Sequence, residues 1–257
     1  VRTSNNPALT RSPAFGEQRL RTADPLEEAY NARSATSRET GRMTVDDVVN
    51  RTGLLLAIAF ATGAVTWALD LGFLAFPAAI VGLILAMVII FKQVMNPGVI
   101  MAYAAIEGVF LGGISQFFEA RYPGIALQAV GGTAGVTAGV LALYKSGKIK
   151  VTPQFTKMVV GATIGFFVLM MINLIATLFT GGDGLGFRDG WLGIVFGVFA
   201  IGLASMNLIL DFDMVEKGAR AGVPTKFGWF AAFGIMVTLV WLYIEILRLL
   251  GILRGND

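Results

Sequence analysis

Seven long apolar runs dominate this chain, and they leave few folds open to it. They lie at about 52–69, 74–91, 99–118, 125–144, 156–179, 191–211 and 227–250. Each approaches or exceeds the roughly 17–25 residues that carry a helix across a bilayer. None alternates with a period of two, which argues against a transmembrane β-barrel. The breaks between runs carry turn chemistry or charge: Asp70-Leu71-Gly72, Lys92 to Asn96-Pro97-Gly98, Arg121-Tyr122-Pro123-Gly124 and Lys145 to Pro153. Gly181-Gly182-Asp183-Gly184 and Glu216 to Pro224 supply the last two. Charged residues are only 14% of the 257, against about 25% in soluble domains. The reading is therefore an all-α polytopic membrane protein, a bundle of seven spans with the lipid bilayer as its main surroundings.

Residues 1–43 stand apart. They are polar, mixed in charge and carry three prolines, the composition of a disordered tail. They hold no apolar core of a signal peptide. The membrane domain is expected over 44–257, opened by Thr44-x-x-Asp47, a capping box ahead of a helix. Val45, Val48 and Val49 would then lie on the membrane surface before the first span.

Basic residues predict orientation, because short cytoplasmic connections are enriched in Lys and Arg. Sixteen of the twenty fall before span 1 or in the connections 2–3, 4–5 and 6–7. The tail is expected in the cytoplasm, in a plasma (inner) membrane, with the C-terminus outside. A re-entrant last segment would return it to the cytoplasm, and Arg248 and Arg254 near that end leave this open. The net charge of +3 reflects this placement and does not suggest a nucleic-acid partner.

The chain has no cysteine and no histidine. Thiolate nucleophiles, thiolate or imidazole metal sites and histidine bases are thereby excluded. A rhomboid-like Ser/His pair is impossible, and no strand is followed by a phosphate-binding glycine loop. An enzyme is not expected, and no cofactor. Glycine pairs such as Gly135/Gly139 and Gly193/Gly197 suit close helix packing.

Ionisable groups at membrane depth are the pointers to function, since each costs several kcal/mol unless it faces a partner or a cavity. Glu107, in span 3, has no cation within helical reach and reads as a cavity carboxylate or a protonated structural acid. Asp211 and Asp213, at the inner end of span 6, sit about 200° apart on a helix and so face different ways. Asp211 is either a cavity acid or an interfacial acid paired with Lys92 or Lys217. Asp213 could reach a Lys. Glu245 and Arg248 are spaced i, i+3 and are expected to pair. Glu119 reads as a solvated interface charge. Asn173, Asn207 and Ser205 are expected to tie helices together.

The order of spans, EGVFLGGIS at 107–115, NLILDFDMVEKG at 207–218 and YIEILRLLGIL at 243–253 resemble the Bax inhibitor family, including its bacterial branch, over about 50–251. The resemblance implies a seven-helix bundle with the last helix central. It implies a pH-sensitive cation leak channel, calcium being the cation, gated by facing carboxylates on spans 6 and 7. Such a pair shares a proton, which would hold the site shut. Asp211 falls on the span-6 acid and becomes the tentative calcium ligand, since hard cations take oxygen ligands. The position ten residues before Arg248 is Thr238, in MVTLVW, which is not an acid. The basic cluster after span 2 is reduced to Lys92. The gate is therefore altered here, with Asp213 or Glu107 as possible accessory acids. The resemblance also implies an alternative: a non-conducting interaction protein that modulates a membrane protease or translocation complex, with residues 1–43 docking a membrane-protein partner.

Overall fold

The structure is a computed structural model and describes residues 41–180 and 184–255. Seven helices order the described chain: α1 (Val45–Ala68), α2 (Ala75–Phe91), α3 (Pro97–Arg121), α4 (Ile125–Lys145), α5 (Pro153–Thr180), α6 (Gly190–Arg220) and α7 (Phe227–Gly255). A single 3-10 turn, Gly72–Leu74, leads into α2. No strand occurs among the described residues, and all seven helices are long and apolar enough to span a membrane. The chain is an integral membrane protein with a seven-helix bundle.

Local chemistry starts the helices where the breaks suggest. Thr44 Oγ1 accepts from the Asp47 amide at 3.0 Å, and the Asp47 carboxylate accepts from the Thr44 amide at 3.2 Å. That reciprocal box satisfies two otherwise orphaned donors. Asn96 accepts from the Gly98 amide at 2.8 Å ahead of Pro97, which opens α3. Glu119 is more than a solvated charge: its carboxylate accepts from the Gly124 and Ala126 amides, at 2.5 and 3.0 Å, and so caps α4. Gly124 allows this turn because its φ of +82° disfavours any side chain.

Helix α7 occupies the centre. Phe233, Met236, Leu242 and Leu247 on it are almost wholly buried, and α6, α1, α4 and α3 pack along it. Helix α5 reaches it through rings, with Phe166 and Trp241 centroids 5.0 Å apart. Helix α2 lies outside on α3. The outer helices turn bare apolar side chains outward, Phe60 and Phe91 among them, as a lipid solvent permits.

Glycine sets how closely two pairs of helices approach. A Cβ on Gly108 would collide with Ala59 and Thr62, and one on Gly112 with the Gly63 backbone. Helices α1 and α3 are thus in backbone contact. Gly193 and Gly197 admit Ile252 and Leu249 of α7 against α6. Gly135 and Gly139, by contrast, meet open space, so that pair makes no close contact here.

Two expectations need correction. Val45, Val48 and Val49 form the first turns of α1, where Val45 and Val49 are exposed but Val48 is fully buried. The bundle begins at Gly41 rather than Thr44. Met43 is buried in the core, its amide donates to Val223 O at 2.8 Å, and the Thr225 amide donates to Gly41 O at 2.8 Å. The last segment, for which the sequence leaves a re-entrant course open, is one unbroken helix of 29 residues, about 43 Å at the α-helical rise and long enough to span a membrane. The tail expectation otherwise falls on residues 1–40, which lie outside the described residues.

Candidate functional site

The buried acids fall into two separate settings along α7, plus a third on α3. Thr238 and Glu245 are seven residues apart on α7, about two turns and about 10 Å. They therefore point to roughly the same side. Helix α6 runs along that side, placed by the close packing at Gly193 and Gly197. One end of α6 brings Asp211 to Thr238, and the segment before its other end brings Arg188 to Glu245.

At the first setting, Thr238 Oγ1 donates to Asp211 Oδ2 at 2.6 Å. The same hydroxyl lies 3.3 Å from Gly234 O, its alternative acceptor one turn back. Thr238 is buried and Asp211 half-buried. Asp211 has no ion-pair partner among the described residues: Lys217 binds Asp213 instead, at 2.6 Å on the helix surface. Lys92 is exposed at the end of α2 and makes no ion pair among the described residues. The expected pairing of Asp211 with Lys92 or Lys217 is thus absent, because Asp213, one turn before Lys217, is better placed for it. Asp213 faces away from Asp211, as their spacing requires.

At the second setting, Glu245 is buried and pairs with Arg188 at 3.3 Å. Arg248 does not pair with Glu245. Its Nη2 donates to the Arg188 carbonyl at 3.0 Å, so it holds the backbone of the residue that neutralises Glu245. Burial pushes the Arg188 guanidinium below its ordinary value, and the charges of Glu245 and Asp189 oppose that shift. Arg188 is the residue that sequence reasoning missed here. The signal was available: it is the one cation in the connection between spans 5 and 6.

The third acid, Glu107, is buried on α3, with Oε2 lacking a hydrogen-bond partner. Its Oε1 lies over Gly82 of α2, where a Cβ would stand 3.0 Å away. Tyr103, one turn earlier, stacks edge-on against Phe233 of α7 with centroids 4.9 Å apart. No hydrogen bond or ion pair joins Glu107 to Asp211 among the described residues. The two candidate acids are therefore not directly joined.

Asn207 ties α6 to α5 by donating to Thr163 Oγ1 at 2.7 Å, and Asn173 accepts from the Leu185 amide at 3.0 Å. Ser205 instead bonds back within α6 to Ile201 O at 2.8 Å.

Chemically, the Asp211–Thr238 contact offers one carboxylate and one hydroxyl. A resident calcium site takes about six to eight oxygens, and no group of three acidic side chains gathers among the described residues. The donor set at this place thus falls short of a resident calcium site. What the contact does is link the central helix to α6 through a single carboxylate acceptor.

No curated protein matches the chain. The model of the Bax inhibitor 1 like family matches residues 6–255, so the likeness extends into the tail, beyond the 50–251 over which the motifs run. With nearly its whole length matched, seven helices and the last of them central, the chain belongs to the Bax inhibitor 1 like family.

Proposed function

We propose that the chain is a pH-sensitive cation leak pathway, with calcium as the cation, in which Asp211 is the gating acid and Thr238 its latch. The observation that carries this reading is the 2.6 Å hydrogen bond between them, which joins α6 to the central helix at membrane depth. A threonine stands where the family resemblance implies a second carboxylate. A facing pair of acids shares a proton and titrates in two coupled steps, whereas a lone carboxylate titrates as one group. The latch is closed while the hydroxyl bridges the two helices. A cation entering between them competes for the same carboxylate oxygens and favours separation. No enzymatic role is proposed, and no cofactor.

The test is calcium flux into proteoliposomes made with the full chain, measured from mildly acid to mildly alkaline pH. Flux above the lipid background, with its pH response abolished in Asp211→Asn, is the expected result. Background flux only, or flux indifferent to Asp211→Asn, overturns the reading.

A second reading rests on a different observation. Arg42 and Pro224 form an antiparallel bridge, so the residues that end the tail are fastened to the connection entering α7. The alternative is a non-conducting protein whose tail, anchored beside the entry to the central helix, docks a membrane protease or translocation complex. Affinity capture with the full chain and with residues 1–40 deleted separates the two. The deletion ends before Met43 because that side chain is buried in the bundle. A stable partner lost on deletion supports docking; partners that survive it count against the tail.

A further inference from the structure

At the end of the bundle away from Asp211, a cleft of about 670 Å³ opens between the ends of α3 and α7 and the start of α6. Among the described residues, Arg121, Arg188 and Arg248 line it, against one acid, Asp189. Phe117 and Ile252 form an apolar wall, and Phe117 is 72% exposed on the outer surface of the bundle.

The donors of these arginines are far from exhausted. A guanidinium carries five N–H groups in a planar fork. Arg248 directs Nη2 to the Arg188 carbonyl, and Arg188 directs Nη2 to Glu245. The Arg188 Nε is buried with no partner. Arg121 is exposed and makes no side-chain hydrogen bond or ion pair among the described residues. Glu245 is buried behind Arg188 and is not part of the lining. The cleft thus concentrates unused cationic donors beside an apolar wall. Its lining includes the last residues of α3 and α7, Arg121 and Gly255, the level at which a spanning helix leaves hydrocarbon for head groups.

We propose that this cleft binds the phosphate head group of an anionic phospholipid, with Arg121 and Arg248 as the phosphate donors and an acyl chain along Phe117 and Ile252. The arginine fork matches phosphate bidentately, which a lysine cannot do. The Glu245 pair holds Arg188 in place, so part of the cationic lining is preset. The apolar wall selects a lipid over a free anion, which would leave that wall in contact with water.

Retention of added lipid by the detergent-purified full chain, read by native mass spectrometry, tests this. Phosphatidylglycerol should be retained in preference to phosphatidylcholine. Arg121→Gln combined with Arg248→Gln should lower that retention about tenfold or more, the scale of lost charge-assisted bonds. Lys145→Gln with Lys148→Gln, on the lysine-rich connection between α4 and α5, should leave it unchanged. Equal retention of the two lipids overturns the proposal, as does retention unaffected by the arginine changes. Displacement of phosphatidylglycerol by millimolar inorganic phosphate assigns the cleft to a free anion and overturns the lipid reading. Should the double variant fail to fold, Arg121→Gln alone decides. That side chain holds nothing else in place, so unchanged retention sinks the idea.

Discussion

Two acids meet the contacts of α6 with α7 about two turns apart along α7, in opposite circumstances. Glu245 is buried but neutralised, with the Arg188 guanidinium at 3.3 Å and Arg248 holding the Arg188 backbone. Among the described residues, the hydrogen bond of Asp211 to α7 comes from the neutral Thr238 hydroxyl. A buried charge with its counter-charge removed costs far more than a hydrogen bond of neutral partners. The Glu245 end is therefore held by charge, and under the proposed gate the Asp211 end is where the interface of α6 with α7 changes state. The comparison teaches that two buried acids at one interface can differ wholly in the charge of their partners.

The largest effect should come from breaking the joint held by charge. Arg188→Gln leaves Glu245 uncompensated and should destabilise the fold by about 3–5 kcal/mol, read by thermal or denaturant unfolding in detergent. Adding Glu245→Gln should restore most of that loss. If the single variant unfolds like wild type, the joint is not structural. Next in size is Thr238→Asp, which sets a second carboxylate against Asp211. It should cost about 2–3 kcal/mol at neutral pH, with the cost shrinking in acid as the pair shares a proton. Calcium flux should become more steeply pH-dependent than in wild type; an unchanged profile would show that the two positions do not face each other. Thr238→Val removes the latch alone. Its stability loss should be about 1 kcal/mol, the scale of interhelical hydrogen bonds in membranes, with calcium flux raised. Smallest is Lys217→Gln, which breaks the surface pair with Asp213 and should shift stability by no more than about 0.5 kcal/mol and leave flux alone. A clear flux change there would move the gate from Asp211 towards Asp213.

The seven helices were legible because lipid demands long apolar runs, and their breaks carry Pro, Gly and charge that also end helices in the structure. The opposite facing of Asp211 and Asp213 was legible too, from helical geometry alone. The partner of Glu245 was not. The i, i+3 spacing favoured Arg248, but pairing inside one helix competes with a cation delivered from elsewhere, and sequence distance says nothing of the 57 residues that fold to bring Arg188 in. Glycines misled in the same manner: Gly135/Gly139 and Gly193/Gly197 share one spacing, yet only the second pair has a neighbour to admit. The start of the bundle was read three residues late because Gly41 and Met43 are held by backbone bonds to Val223 and Thr225, a pairing that leaves no residue pattern. Thr238 lay between these cases. Its register opposite Asp211 could be counted from Arg248 through the family likeness, but only geometry turns a missing acid into a donor.

The fastening at Gly41–Met43 has a mechanical side. Two antiparallel backbone bonds, which together make the Arg42–Pro224 bridge, couple it to the connection before α7, and Arg51 clamps that connection by donating to Thr225 O at 2.5 Å while lying over the Trp229 ring. Tension applied to the chain before Gly41 would load these bonds first, at the root of the central helix. The eleven residues from Phe227 to Val237 would then transmit that load as a stiff rod to Thr238. A tug on the tail and a change at Asp211 would thus act on the two ends of one lever.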